Sequence, residues 1–172
     1  MELLVINSGN RLLMIKHAFP AALLAISITF AAPASARNVT ADVDQISGIM
    51  KEEGLQAKLE EEDGKRYIVS GMSGYTFVVR PYGCDDEGKD CKWVQFRAAF
   101  APQNKPSLQE VNDFAADNFF GRFYVDKDAD PVIEMDIDLE AGGMSRELFV
   151  DNIAYWDFIL SKFGEFVFSK DK

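Results

Sequence analysis

The C-terminal segment carries an apolar pattern too wide for an ordinary surface helix. Phe149, Ile153, Trp156, Leu160, Phe163 and Val167 recur at four-three spacing. Leu148, Tyr155, Ile159 and Phe166 widen that stripe past half the helical circumference. Such spacing is the signature of a helix, and Gly142-Gly143 followed by a capping Ser145 sets its start. A surface helix buries one stripe against its core; this one must be covered on more than one side. Two solutions are open: a sheet on one side with neighbouring loops on the other, or a second copy of the chain over the remainder.

The preceding residues supply the sheet. Residues 131–139 alternate, with Ile133, Met135, Ile137 and Leu139 on one face and Glu134, Asp136 and Asp138 on the other, as in an antiparallel strand with one wet face. Residues 93–100 do the same: Val94, Phe96, Ala98 and Phe100 against Trp93, Gln95 and Arg97. Residues 55–61 alternate and lead into Asp63-Gly64, a hairpin signal, after which Tyr67-Ile68-Val69 returns as a strand. Gly71 and Gly74 leave the next strand, Tyr75–Tyr82, either separate or merely bulged. Phe123–Val125 is a short strand.

Two further helices are expected. Over residues 41–53, Val43, Ile46, Ile49 and Met50 share a face, with Thr40 or Asp42 as cap and Gly54 as stop. After Pro102 and Pro106, Ser107 and Glu110 form a capping box. Leu108, Val111, Phe114, Ala115 and Phe119 make the stripe of that helix, and Gly121 ends it. The order is helix, strands, helix, two strands, helix. That is an α+β chain: an antiparallel sheet of about five or six strands packed with three helices.

The N-terminus reads as an address. Lys16-His17, the apolar run AALLAISITF at 21–30 and Ala34-Ser35-Ala36 form the basic, apolar and small-residue parts of a secretory signal peptide over residues 1–36. Glu2 sits where positive charge belongs, so Met14 is the expected translation start. Residues 37–172 then form the single mature domain, exported to the periplasm or secreted. Beyond the signal no segment is apolar for long enough to span a bilayer, which takes about 20 residues.

Processing sharpens what composition excludes. The removed segment holds Glu2, Arg11, Lys16 and His17, leaving 27 acidic and 16 basic residues and no histidine. A charge of −11 opposes nucleic acid, whose recognition neutralises phosphates with Lys and Arg. Without histidine there is no Ser-His-Asp or Cys-His nucleophile and no histidine-ligated zinc or haem. No cofactor or metal is expected. Paired carboxylates remain, but so acidic a chain makes such pairs by accident.

Cys84 and Cys91 bracket CDDEGKDC. In an oxidising compartment they are expected to pair, and closing so short a loop is worth about 2–3 kcal/mol. Four surrounding acids would raise a thiol pKa, which argues against a redox pair. Asp126, Asp128 and Asp130 share the opening spacing of a calcium loop, but Pro131 and Ile137 stand where that loop needs Gly and Glu. Asp130-Pro131 is a turn instead. Ser70-Gly71-Met72-Ser73-Gly74 lacks the Lys-Ser/Thr of a phosphate loop, and its glycines suit a bulge.

The segment GMSGYTFVVRPYGCDDEGKDCKWVQFRAAF (71–100) resembles the YbjN-like family of bacterial sensory transduction regulators, and DADPVIEMDIDLEAGGMSRELFVDNIAYW (128–156) is similar to that family's second half. The resemblance covers about residues 42–168. It implies a fold like that of type III secretion chaperones, which are dimers that hold unfolded partner segments. Those chaperones are cytosolic, whereas this chain is expected to be exported. The expectation is an exported, non-enzymatic binding or regulatory protein, chaperone-like or stress-related, with a protein partner or itself as a homodimer. Its candidate binding surfaces are the last helix, with Phe149, Trp156 and Phe163, or the outer side of the sheet, with Arg80, Trp93 and Arg97. Two rivals predict different features. A carboxylate-dependent hydrolase of envelope polymers needs a cleft with one protonated and one ionised acid. A small-ligand carrier needs a closed apolar pocket.

Overall fold

Six strands form one antiparallel sheet in the computed structural model, which describes residues 38–171. The signal peptide and the start at Met14 lie outside the described residues. In chain order the elements are α1 (Val43–Glu52), β1 (Lys58–Glu62), β2 (Lys65–Met72), β3 (Tyr75–Tyr82), β4 (Trp93–Ala99), α2 (Leu108–Asp117), β5 (Arg122–Val125), β6 (Pro131–Asp138) and α3 (Arg146–Val167). The sheet order is β1-β2-β3-β4-β6-β5. The class is α+β, as expected. β6 returns to pair with β4, so α2 and β5 form an excursion between two neighbouring strands.

Local chemistry explains the hairpins. Asp63-Gly64 (φ 51° and 73°) and Ser73-Gly74 (φ 50° and 83°) are two-residue turns with both centres left-handed, the geometry that matches strand twist. Ser73-Gly74 therefore separates β2 from β3 completely; the bulge considered for this segment is not there. Cys84 and Cys91 are disulfide-bonded in the loop joining β3 to β4. Inside that loop the Asp85 carboxylate accepts from the backbone N–H of Glu87 (3.0 Å) and Lys89 (2.7 Å).

Asp42 caps α1 through its carboxylate. Thr40 instead donates to the Gln45 side chain at 2.9 Å from its N–H. Ser107 and Glu110 form the capping box of α2. This helix departs from its expected stripe. Val111 is buried and Phe114 and Ala115 are half-buried, but Leu108 and Phe119 are 72% and 76% exposed. Asn118 turns to extended backbone (φ −128°, ψ 140°), so the helix ends there and not at Gly121. Gly121 lies against Phe123 and Ile159, where a Cβ would not fit.

All three helices pack on one face of the sheet. Ile68, Phe77, Val79, Val94, Phe96, Ile133 and Ile137 line it. Trp156 packs against Phe77 and Phe96 at 5.5 and 5.6 Å, and Phe163 reaches Phe100, Phe114 and Phe123. Phe149, Trp156 and Phe163 are fully buried. These three candidate partner residues are core, because the sheet claims the centre of the stripe; a partner cannot reach them while the chain is folded. Only the margin of the stripe stays open, at Leu148 and Tyr155, together with Phe158. Among the described residues no helix is long and apolar enough to cross a membrane.

Candidate functional site

The face of the sheet turned away from the helices carries the remaining candidates. Strand alternation puts Arg80 and Tyr82 of β3, Trp93, Gln95 and Arg97 of β4, and Glu134, Asp136 and Asp138 of β6 on this side. Register then makes rows. Arg97 lies opposite Glu134, which lies opposite Arg122 of β5. Gln95 lies between Arg80 and Asp136, and Trp93 between Tyr82 and Asp138. Opposite partners on one face are the pairs that stabilise a sheet.

Glu134 is the centre of the first row. It was expected on the wet face, and it is on that face, yet it is only 6% exposed. Its Oε1 accepts from Arg97 Nε at 3.2 Å and from the Tyr124 hydroxyl at 2.8 Å. Its Oε2 accepts from Arg122 Nε at 3.0 Å and Nη2 at 2.5 Å. A buried carboxylate is tolerable when it is paired and its lone pairs are filled, and both oxygens here are occupied. The hydrogen bond to Glu134 raises the Arg122 pKa. Burial, and then the bond to Glu134, pushes the Tyr124 phenol up. Arg122 Nη1 also reaches Asp136 at 3.2 Å, and Gln95 donates to Asp136 at 2.9 Å.

The second feature is aromatic. Trp93 and Tyr82 stack at 6.1 Å with an interplanar angle of 11°. Each keeps more than a third of its surface open, 38% for Trp93. Gly83, at φ +65°, leaves room for the indole where any Cβ would collide with it. Arg80 sits over the Tyr67 ring at 4.0 Å and pairs with Glu62 at 3.1 Å. A depression of about 780 Å³ opens beside the aromatic pair, lined by Tyr82, Trp93, Gln95, Arg122 and four acids.

Arg80, Trp93 and Arg97 therefore do share one face, while Phe149, Trp156 and Phe163 do not belong to it. Tyr82, Arg122, Tyr124 and the special position of Glu134 went unread in the sequence. A partial signal existed: Arg97 and Glu134 alternate outward, and Arg122 directly precedes the Phe123–Val125 strand. What brings them together is strand order, which alternation does not encode. The Asp126 carboxylate accepts from the N–H of Asp128 and Asp130 (3.0 and 2.9 Å), closing the turn between β5 and β6.

The sequence model of the YbjN family, described as "Putative bacterial sensory transduction regulator", matches residues 42–169. No curated protein matches the chain.

Proposed function

The chain belongs to the YbjN family, and on that premise we propose an exported, non-enzymatic regulatory protein that captures a protein partner on the outer face of its sheet. The observation that carries this reading is the open Tyr82–Trp93 pair beside the locked Glu134 network. Trp, Tyr and Arg dominate binding hot spots, and here they stand on the central strands of a sheet rather than on a loop. Arg80 and Trp93 offer contact surface; Arg97 holds the frame through Glu134 and, at 3.9 Å, Asp126.

Two features favour binding over chemistry. An acid catalyst must carry a proton and present it to substrate, whereas both Glu134 oxygens are occupied by cations and a phenol. A small-ligand carrier needs enclosure, whereas the depression beside Trp93 is open and rimmed by charge. Export is supported by the signal-like N-terminus and by the Cys84–Cys91 bond, a linkage that persists in oxidising compartments.

Site-specific photocrosslinking in intact cells tests this. A crosslinking side chain at position 93 should give a discrete heavier adduct in the periplasmic fraction, and the same group at Lys51 on α1 should not. Equal adducts from both positions, or none from position 93, would refute the reading.

A further inference from the structure

The solvent side of α3 is not a random surface. Leu148, Asp151, Tyr155, Phe158, Lys162 and Glu165 follow three-four spacing and are all exposed. Three of the six, Leu148, Tyr155 and Phe158, are large apolar or aromatic side chains left open to solvent, and the charged Asp151, Lys162 and Glu165 share the seam with them. The 118–121 loop flanks it. Phe120 holds left-handed backbone at φ +67°, and its ring stacks on Tyr155 at 4.4 Å. Phe119 beside it is 76% exposed. Contiguous exposed aromatic surface on a soluble domain marks an interaction site.

The order of side chains along the seam identifies the occupant. We infer that the seam is a self-association surface, on which α3 of a second copy docks antiparallel about a two-fold axis lying between Tyr155 and Phe158. In a two-fold contact residue i meets j and j meets i. Centred there, Tyr155 meets Phe158 of the second copy, and Asp151 meets Lys162 of the second copy. Leu148 lies against the stem of Glu165, with the charge of Glu165 and the nearby Glu147 left at the solvent rim. Each pairing occurs twice. A parallel docking would set Asp151 against Asp151 and Lys162 against Lys162, so charge selects the antiparallel arrangement. Asp151 makes no ion pair among the described residues, and Lys162 lies over the Phe158 ring at 5.0 Å while donating to Asn118 at 3.1 Å. Both charges are thus available at the seam. The outer sheet face lies on the other side of the molecule from α3, so this surface is independent of the partner site proposed above.

Sedimentation equilibrium on the chain from Arg37 onward, which contains the whole described fold, tests the inference. Wild type should reach a dimer within the micromolar range. Asp151→Lys or Lys162→Asp alone should weaken the dimer about tenfold or more, since each places like charges together twice. The double exchange D151K/K162D should restore it, with all four proteins sharing one circular-dichroism spectrum. Restoration distinguishes the seam from a folding defect. A strict monomer at every concentration, or a double exchange as weak as the single ones, overturns the inference.

Discussion

Glu134 shows how a single side chain can be placed on the wet face of a sheet and still be dry. Two guanidiniums and a phenol close over it from neighbouring strands. Replacing it with Gln keeps the shape but removes the charge, and the amide NH2 then faces donors it cannot accept from. Removing a charged partner from a buried network costs about 3–5 kcal/mol, but the Arg97 and Arg122 side chains are 34% and 56% exposed and can rehydrate. Glu134→Gln is therefore expected to destabilise the fold by about 1–3 kcal/mol in urea unfolding. Glu87→Gln, which touches only an exposed pair with Lys89, should stay within about 0.5 kcal/mol of wild type. An unshifted urea midpoint for Glu134→Gln would mean that the network contributes nothing net. The sequence shows that residues 134, 136 and 138 point one way; it does not show what lies opposite, because Arg97 arrives from β4, across the α2 and β5 excursion, and the register of the β5–β6 hairpin that sets Arg122 opposite Glu134 is not written in alternation.

Among the elements, α3 defines the interior, and its fit depends on a glycine. Gly164 is buried under the Tyr75 ring, where an added Cβ would press into ring carbons. Glycine within a helix ordinarily costs about 0.5–1 kcal/mol relative to alanine. Gly48 on α1 has open space around its missing Cβ, so Gly48→Ala should stabilise the fold by about that much. Gly164→Ala should do the reverse and destabilise it by about 1–3 kcal/mol through overpacking. Thermal unfolding of both variants would decide; two stabilising changes would show that Tyr75 moves aside freely. The helix itself is legible in the sequence from Phe149, Trp156 and Phe163, and so is its start at Ser145. Periodicity fixes which residues share a face but not what covers that face. The same limit explains α2, where Leu108 and Phe119 fit the stripe by spacing but lie beyond the reach of the sheet.

At the scale of the whole molecule, acidity connects the chain end to the body. Lys170 hydrogen-bonds Glu110, and this bond, followed by those from Ser107, lowers the Glu110 pKa from 4.5 to about 2. Burial by itself would raise the Asp171 pKa, but the bonds it accepts from the backbone N–H of Asn104 and Gln103 and from the Asn104 amide together outweigh that and hold it below its ordinary value. A folded-state pKa below the unfolded one gives stability that is complete above the unfolded value and is lost as pH falls through the folded one. For Glu110 that window runs from 4.5 down to about 2. Glu110→Gln should accordingly be less stable than wild type at neutral pH and show a flatter loss of stability through this window. Denaturant titrations at a series of pH values measure it; parallel curves for the two proteins would sink the assignment. The α+β order was legible because each strand declares its own alternation. The return of β6 to β4 was not, since no local pattern names the neighbour across which α2 and β5 are inserted.

The sheet ends on β1, and the consequence concerns colloidal behaviour rather than fold. Its outer rim offers unpaired backbone groups, the template on which another polypeptide could polymerise as cross-β. The sequence there is Lys-Leu-Glu-Glu-Glu. A second chain aligning its own rim in parallel register would bring Glu60, Glu61 and Glu62 against their copies, and Lys58 against Lys58. This gatekeeping is electrostatic, so it weakens as salt screens the exposed charges. Ionic strength, which leaves the buried core untouched, therefore sets how well this edge resists fibril growth.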